Sequence, residues 1–325
     1  MSKDPLYLFL HVPKCGGITL TNHLRACLPE TERLELYYHK NDNLNTRKDV
    51  RAYILSKPKS HRDRVRAIFG HEVYYGLHEL FPERECRYLT FLRQPKERVV
   101  SHYNFQRTEA DSGILPIWHW PDIKPEGRIL DFADWFDWNK KQHNFIFNFL
   151  TAHFFDEELF AGWPKKPATA EGLEKIKAVL DQFYFVGLTE GPENYLFFYH
   201  LMRIKNFLPR QNISRRYFWP TTQPELMAEV ARENLFDQEI YDYAKDLNRQ
   251  FKKRHRRLFQ MIAIELFISK RQFELNQVVS NFYYWSSLMK KRSRIYLNLI
   301  NFIKSRRQST EFSSEQTDRP GKRDN

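Results

Sequence analysis

Two stretches of this chain set a cation, glycines and hydroxyls at spacings that suit an anion. The first reads His11-Val12-Pro13-Lys14-Cys15-Gly16-Gly17-Ile18-Thr19-Leu20. A strand that turns through glycine into a helix leaves backbone N–H groups without intrahelical acceptors, and the helix dipole adds partial positive charge there. Such a turn binds phosphate or sulfate. Gly16 and Gly17 would let the backbone approach the anion, Lys14 would neutralise charge, and the Thr19 hydroxyl would add a donor, with Cys15 and Ile18 completing the loop. The plain alternative is a tight turn whose glycines serve packing. The lysine precedes the glycines, so the Walker pattern is absent. A phosphatase reading of Cys15 needs arginine six residues on, where Thr21 stands. Cys15 reads as a small filler, although a helix N-terminus and Lys14 would lower its thiol pKa.

The second stretch is Tyr88-Leu89-Thr90-Phe91-Leu92-Arg93-Gln94-Pro95, continuing to Ser101 and Phe105. Arg93 falls at the carboxyl end of an expected strand, where open α/β sheets bind ligands. Ser101 follows two helical turns later, and the pair would hold a second phosphate. Arg98 would do the same or sit in a buried ion pair; we prefer the pair. Asn212-Ile213-Ser214-Arg215-Arg216 is a further basic turn, read either as a clasp over an anion or as a solvated loop. His71 follows a strand end at Gly70. A neutral imidazole there suits proton abstraction near neutrality, and it equally suits a strand cap. His78 and His11 are weaker candidates for the same role.

These groups need a scaffold that brings separate strand ends together. Residues 6–11, 66–69, 87–92 and 184–188 are short apolar runs that read as strands. Helical spacing follows at 18–28, from Pro95 through 97–105, and from about 193. Strands alternating with helices predict an α/β fold, a parallel sheet covered on both faces. Residues 111–128, rich in Pro, Gly and Trp, read as a long loop, residues 131–160 as an aromatic helical region, and 224–251 as further helices.

The 325 residues carry 52 Lys+Arg against 40 Asp+Glu, but 17 of the basic and 6 of the acidic residues fall from Lys252 onward. The first 251 residues are thus almost neutral, which argues against a nucleic-acid partner. A basic amphipathic helical extension is expected over 252–307 and a disordered tail over 308–325. The extension would pack on the body or lie on an anionic membrane surface; packing is slightly favoured. Three cysteines, Cys15, Cys27 and Cys86, form no disulfide framework or zinc spacing, and no metal is expected. The N-terminal apolar run is too short for a signal peptide, and none of the later runs reaches the ~20 residues a bilayer needs. A cytoplasmic protein, at most peripheral to a membrane, is expected.

The chain resembles the sulfotransferase superfamily that uses 3′-phosphoadenosine-5′-phosphosulfate (PAPS), and within it the carbohydrate branch related to heparan sulfate 2-O-sulfotransferase. HVPKCGGITL is similar to that family's 5′-phosphosulfate loop and FLRQPKERVVSHY to its 3′-phosphate segment. FVGLTEGPENY (185–195), GHEVYYGLHE (70–79) and FDQEIYDYAKDL (236–247) resemble further blocks. Cys15, Ile18 and Gln94 depart from the usual pattern. The resemblance implies a three-layer sheet with P-loop-NTPase-like topology and a PAPS-binding domain over 1–251. It also implies a sulfuryl transfer to a hydroxyl acceptor, here a glycan, with Lys14 on the leaving group and His71 as base. Cofactor contacts would fall on Lys14 to Thr19, Arg93 and Ser101, with Arg215 and Arg216 closing over the 3′-phosphate or meeting an anionic acceptor. Trp118 and Trp120 would stack on sugar rings; Trp135 and Trp138 read as core. Two other readings share this scaffold. A nucleoside-phosphate kinase would need Mg²⁺ and a carboxylate by the loop; a catalytically silent anion- or lipid-binding protein would keep the site without turnover.

Overall fold

Alternation along the strands builds the sheet. In the first strand Leu6, Leu8 and Leu10 point to one face and Phe9 to the other, and all four are buried. The computed structural model describes residues 4–37, 44, 46–113, 123–141, 150, 169–204 and 215–267. Five parallel strands, β1 (Leu6–Leu10), β2 (Arg33–Leu36), β3 (Ala67–Gly70), β4 (Cys86–Leu92) and β5 (Phe185–Leu188), run in the order β2-β3-β1-β4-β5. The register aligns Leu10 with Gly70 and Thr90, and Leu92 with Leu188, so the strands end along one edge.

Helices cover both faces. On the Leu6/Leu8/Leu10 side the core takes Val50 and Ile54 of α2 (Arg47–Ser56), with the short α3 (Lys59–Arg64) following it in the chain. Leu173, Ile176 and Leu180 of α6 (Ala170–Leu180) and Ile240 and Ala244 of α9 (Leu235–Arg254) complete that layer. On the other face Phe9 and Phe91 meet Phe198, and Phe185 meets Phe197, both from α7 (Pro192–Leu201). α1 (Gly17–Cys27) buries Leu20 and Leu24 and touches β3. The expected three-layer α/β architecture is therefore present. A second apolar cluster joins α4 (Pro95–Ser112) to α5 (Phe132–Lys141) and α8 (Pro224–Arg232). Trp135 lies fully buried in it, donating from Nε1 to Gln106 at 2.9 Å, and Trp138 packs beside it, so both are core residues.

Three local expectations change. β2 is a fifth strand that apolar patterning missed. α4 continues to Ser112, where Gly113 caps it at φ 70°, so helix occupies the start of the stretch read as loop. α9 runs past residue 251 to Arg254, and residues 256–267 are again helical. The chain divides into units of residues 1–262 and 263–325. Trp118, Trp120, residues 212–214, most of 142–168 and residues 268–325 lie outside the described residues. Among the described residues no helix is long and apolar enough to cross a membrane.

Candidate functional site at the carboxyl edge of the sheet

Each strand hands its next residues to the same edge. β1 delivers His11 and then the loop to Gly16, β2 delivers Tyr37, β3 delivers His71, β4 delivers Arg93, and β5 delivers Thr189 and Glu190. Lys14 adopts φ 64°, a left-handed conformation uncommon outside glycine. That turn sets its ammonium 3.7 Å from the centre of the Phe105 ring on α4. Burial, and then the Arg93 guanidinium, push the Lys14 ammonium down to about 7; the opposing pull of Glu109 is weaker. Lys14 and Arg93 are therefore close enough to repel, and neither forms an ion pair with a carboxylate among the described residues. Ser101 lies one turn before Phe105 on the same face of α4.

α1 begins at Gly17 behind Gly16, with no side-chain cap and no acid in its first turn. Its first N–H groups thus lack intrahelical acceptors beside Lys14. Thr19 is half-buried and Ile18 is exposed in that turn. The two glycines answer to neighbouring side chains. A Cβ on Gly16, at φ 75°, would collide with the Tyr195 hydroxyl, and one on Gly17 with the His11 imidazole. Cys15 is a packing residue: it is 1% exposed within the core, its N–H donates to Val12, and burial raises its thiol to about 12. The thiol is therefore not activated by the helix, and it accepts from the backbone N–H of Arg93.

Gln94 caps α4 by accepting from the Glu97 N–H at 3.1 Å, and its own N–H donates to Glu190 at 2.9 Å. Gln94 thus supplies the N-cap acceptor where the usual pattern has an acid. Arg98 is fully buried, and burial pushes its pKa down, opposed chiefly by the charge of Asp237 of α9. Arg215 and Arg216 are exposed and lie over Tyr217 and Trp219 at 5.4 and 4.3 Å. Asn104 of α4 fixes this segment by accepting from the N–H groups of Tyr217 and Phe218. No described contact joins the two arginines to Lys14 or Arg93.

The histidines separate clearly. His71 sits at the edge, its Nδ1 2.6 Å from the His11 carbonyl oxygen. His11 is buried and its Nδ1 meets the Tyr37 hydroxyl at 2.8 Å. His78 instead engages Tyr88, four residues before the end of β4, through both its N–H and Nδ1. Phe105, Tyr37, Tyr195 and Glu109 were not singled out from sequence. Only Phe105 left a local signal, its spacing of one helical turn from Ser101. Among the described residues no three His, Cys, Asp or Glu side chains gather as a metal site.

The fold and this edge define an α/β protein that presents two cations without an ion pair among the described residues, a helix start with no side-chain cap, and an imidazole. The chain matches the family model described as Sulfotransferase family over residues 1–244, and it belongs to that family. No curated protein matches it.

Proposed function

We propose that this sulfotransferase takes its sulfuryl group from PAPS and delivers it to a hydroxyl of a carbohydrate. The observation that carries the reading is the juxtaposition of Lys14 and Arg93, two cations from separate strand ends that repel one another until an anion lies against them. The uncapped start of α1 adds donors at the same point. These groups fit a nucleotide bearing phosphate at both ends of its ribose. When bound, PAPS supplies the sulfuryl group and a phosphate leaving group.

In this reading Lys14 stabilises the negative charge that grows on the bridging oxygen, which favours the transition state over the ground state. Arg93 and Ser101 hold the 3′-phosphate. His71 donates from Nδ1 to a carbonyl, which can only accept, so the neutral ring carries its lone pair on Nε2. That nitrogen takes the proton of the acceptor hydroxyl.

The test is transfer from labelled PAPS to a panel of glycans, with calorimetry on adenosine 3′,5′-bisphosphate. Lys14→Ala is expected to lower kcat by at least ~10²-fold. Arg93→Ala is expected to weaken the bisphosphate by ~10–100-fold, the worth of a charged hydrogen bond. Full activity in either folded variant would count decisively against the assignment. Binding of ATP with Mg²⁺ in preference to the bisphosphate would favour a kinase.

A further inference from the structure

We propose that His11, its imidazole held by the Tyr37 hydroxyl, is a positioning residue that fixes the plane and tautomer of His71. This rests on the reading of His71 as the base. Three rings from three neighbouring strand ends meet here. The His11 and His71 centroids lie 4.3 Å apart, tilted by 34°. Tyr37 stands edge-on to both, at 6.0 Å from His11 and 5.0 Å from His71. The main chain of His11 accepts the His71 Nδ1–H, while its side chain walls the same ring. One residue thus sets both the hydrogen bond and the packing surface of its neighbour.

His11 is itself immobilised from three sides. Its ring is 3% exposed, bonded to Tyr37 at 2.8 Å, and pressed on Gly17, where any Cβ would strike it. Phe9 lies parallel to it at 6.1 Å. The charged group that faces the cluster from α1 is Arg25, 5.6 Å from the Tyr37 ring and paired to Glu35 at 2.8 Å. Burial raises the Tyr37 hydroxyl to about 12, so it stays protonated and hydrogen-bonding throughout the neutral range. A residue that merely packed would need no such polar tether. A tether that holds the ring in one plane restricts the tautomers open to the imidazole packed against it.

The full chain labelled with ¹⁵N-histidine, saturated with adenosine 3′,5′-bisphosphate, provides the test. The His71 ring signals, assigned by their loss in His71→Ala, are followed against pH in wild type, Tyr37→Phe and His11→Asn. Wild type is expected to show the Nδ1–H tautomer. Tyr37→Phe, which deletes one oxygen, is expected to mix the tautomers and move the His71 midpoint by at least ~0.5 pH unit, well within the range that environment imposes. Bisphosphate affinity should stay within about twofold, since Tyr37 lies outside the proposed binding groups. An unchanged tautomer and midpoint in folded Tyr37→Phe would overturn the proposal, whether or not His11→Asn folds. If His71→Ala keeps full transfer activity, the base assignment fails, while the ring signals still decide whether His11 positions His71.

Discussion

A lysine in a left-handed turn carries a backbone cost of ~1–2 kcal/mol, and Lys14 adds burial and a neighbouring guanidinium to it. Strain of this kind persists where the surroundings over-determine it and commonly marks a site of action. The charge that makes Lys14 useful is also the charge that burial and Arg93 disfavour. At about pH 8 a group that titrates near 7 is mostly neutral, and an arriving anion raises its pKa, so binding must draw a proton from solution. Below the titration the lysine is already charged and little uptake remains. Calorimetry of adenosine 3′,5′-bisphosphate in buffers of different ionisation enthalpy should therefore show most of a proton taken up at about pH 8 and far less at about pH 6. In Lys14→Met the uptake should vanish. Equal uptake in wild type and Lys14→Met would mean that another group responds to the ligand.

At the scale of elements, the loop between β1 and α1 is shaped by contacts that arrive from the far side of the chain. Gly16 is needed for its positive φ and because Tyr195 of α7 fills the space its side chain would take. Gly16→Ala should destabilise the protein by ~1–3 kcal/mol. Combining it with Tyr195→Phe should relieve the clash and leave the backbone strain. A coupling of at least ~0.5 kcal/mol in a double-mutant cycle by denaturant melts is expected, and strict additivity would show that Tyr195 does not press on the loop. This explains what could be read in advance. The strand, loop and helix from residues 6 to 27 are contiguous, so their order was legible, as was the placement of Lys14, His71 and Arg93 at strand ends. The partners Phe105, Tyr195 and Tyr37 depend on contacts between distant segments, which spacing cannot report. β2 escaped because it is an edge strand of four residues, in which Arg33 and Glu35 alternate with Leu34 and Leu36. Charge of that sort protects an exposed edge while diluting the apolar pattern. Its charges are engaged locally: Arg25 of α1 donates to Glu35 at 2.9 Å, and Arg33 to the Arg25 carbonyl at 3.0 Å.

For the whole molecule, the fall-off in acidic residues after Lys252 invites a boundary there, yet the core does not stop at that point. Phe251 of α9 packs on Phe185 and Phe197, each at 5.1 Å. The next residues extend the same surface. Lys252 pairs with Glu193 at 2.5 Å, Phe259 stacks on Phe197 at 5.5 Å, and Ile262 is fully buried. Phe197 closes the outer side of β5, so its cover bears on the sheet and on the strand end that presents Thr189 and Glu190. Burying a side chain the size of Ile or Phe contributes ~1.5–3 kcal/mol, whereas the half-exposed ion pair adds little. A chain ending at residue 262 should melt close to the full-length protein and bind adenosine 3′,5′-bisphosphate with unchanged affinity. A chain ending at residue 251 should melt lower by roughly 5–10 °C, the shift that a few kcal/mol produces at this size. Matching melting temperatures for the two truncations would place the limit of the cooperative unit at residue 251 and reduce Phe259 and Ile262 to surface ornament.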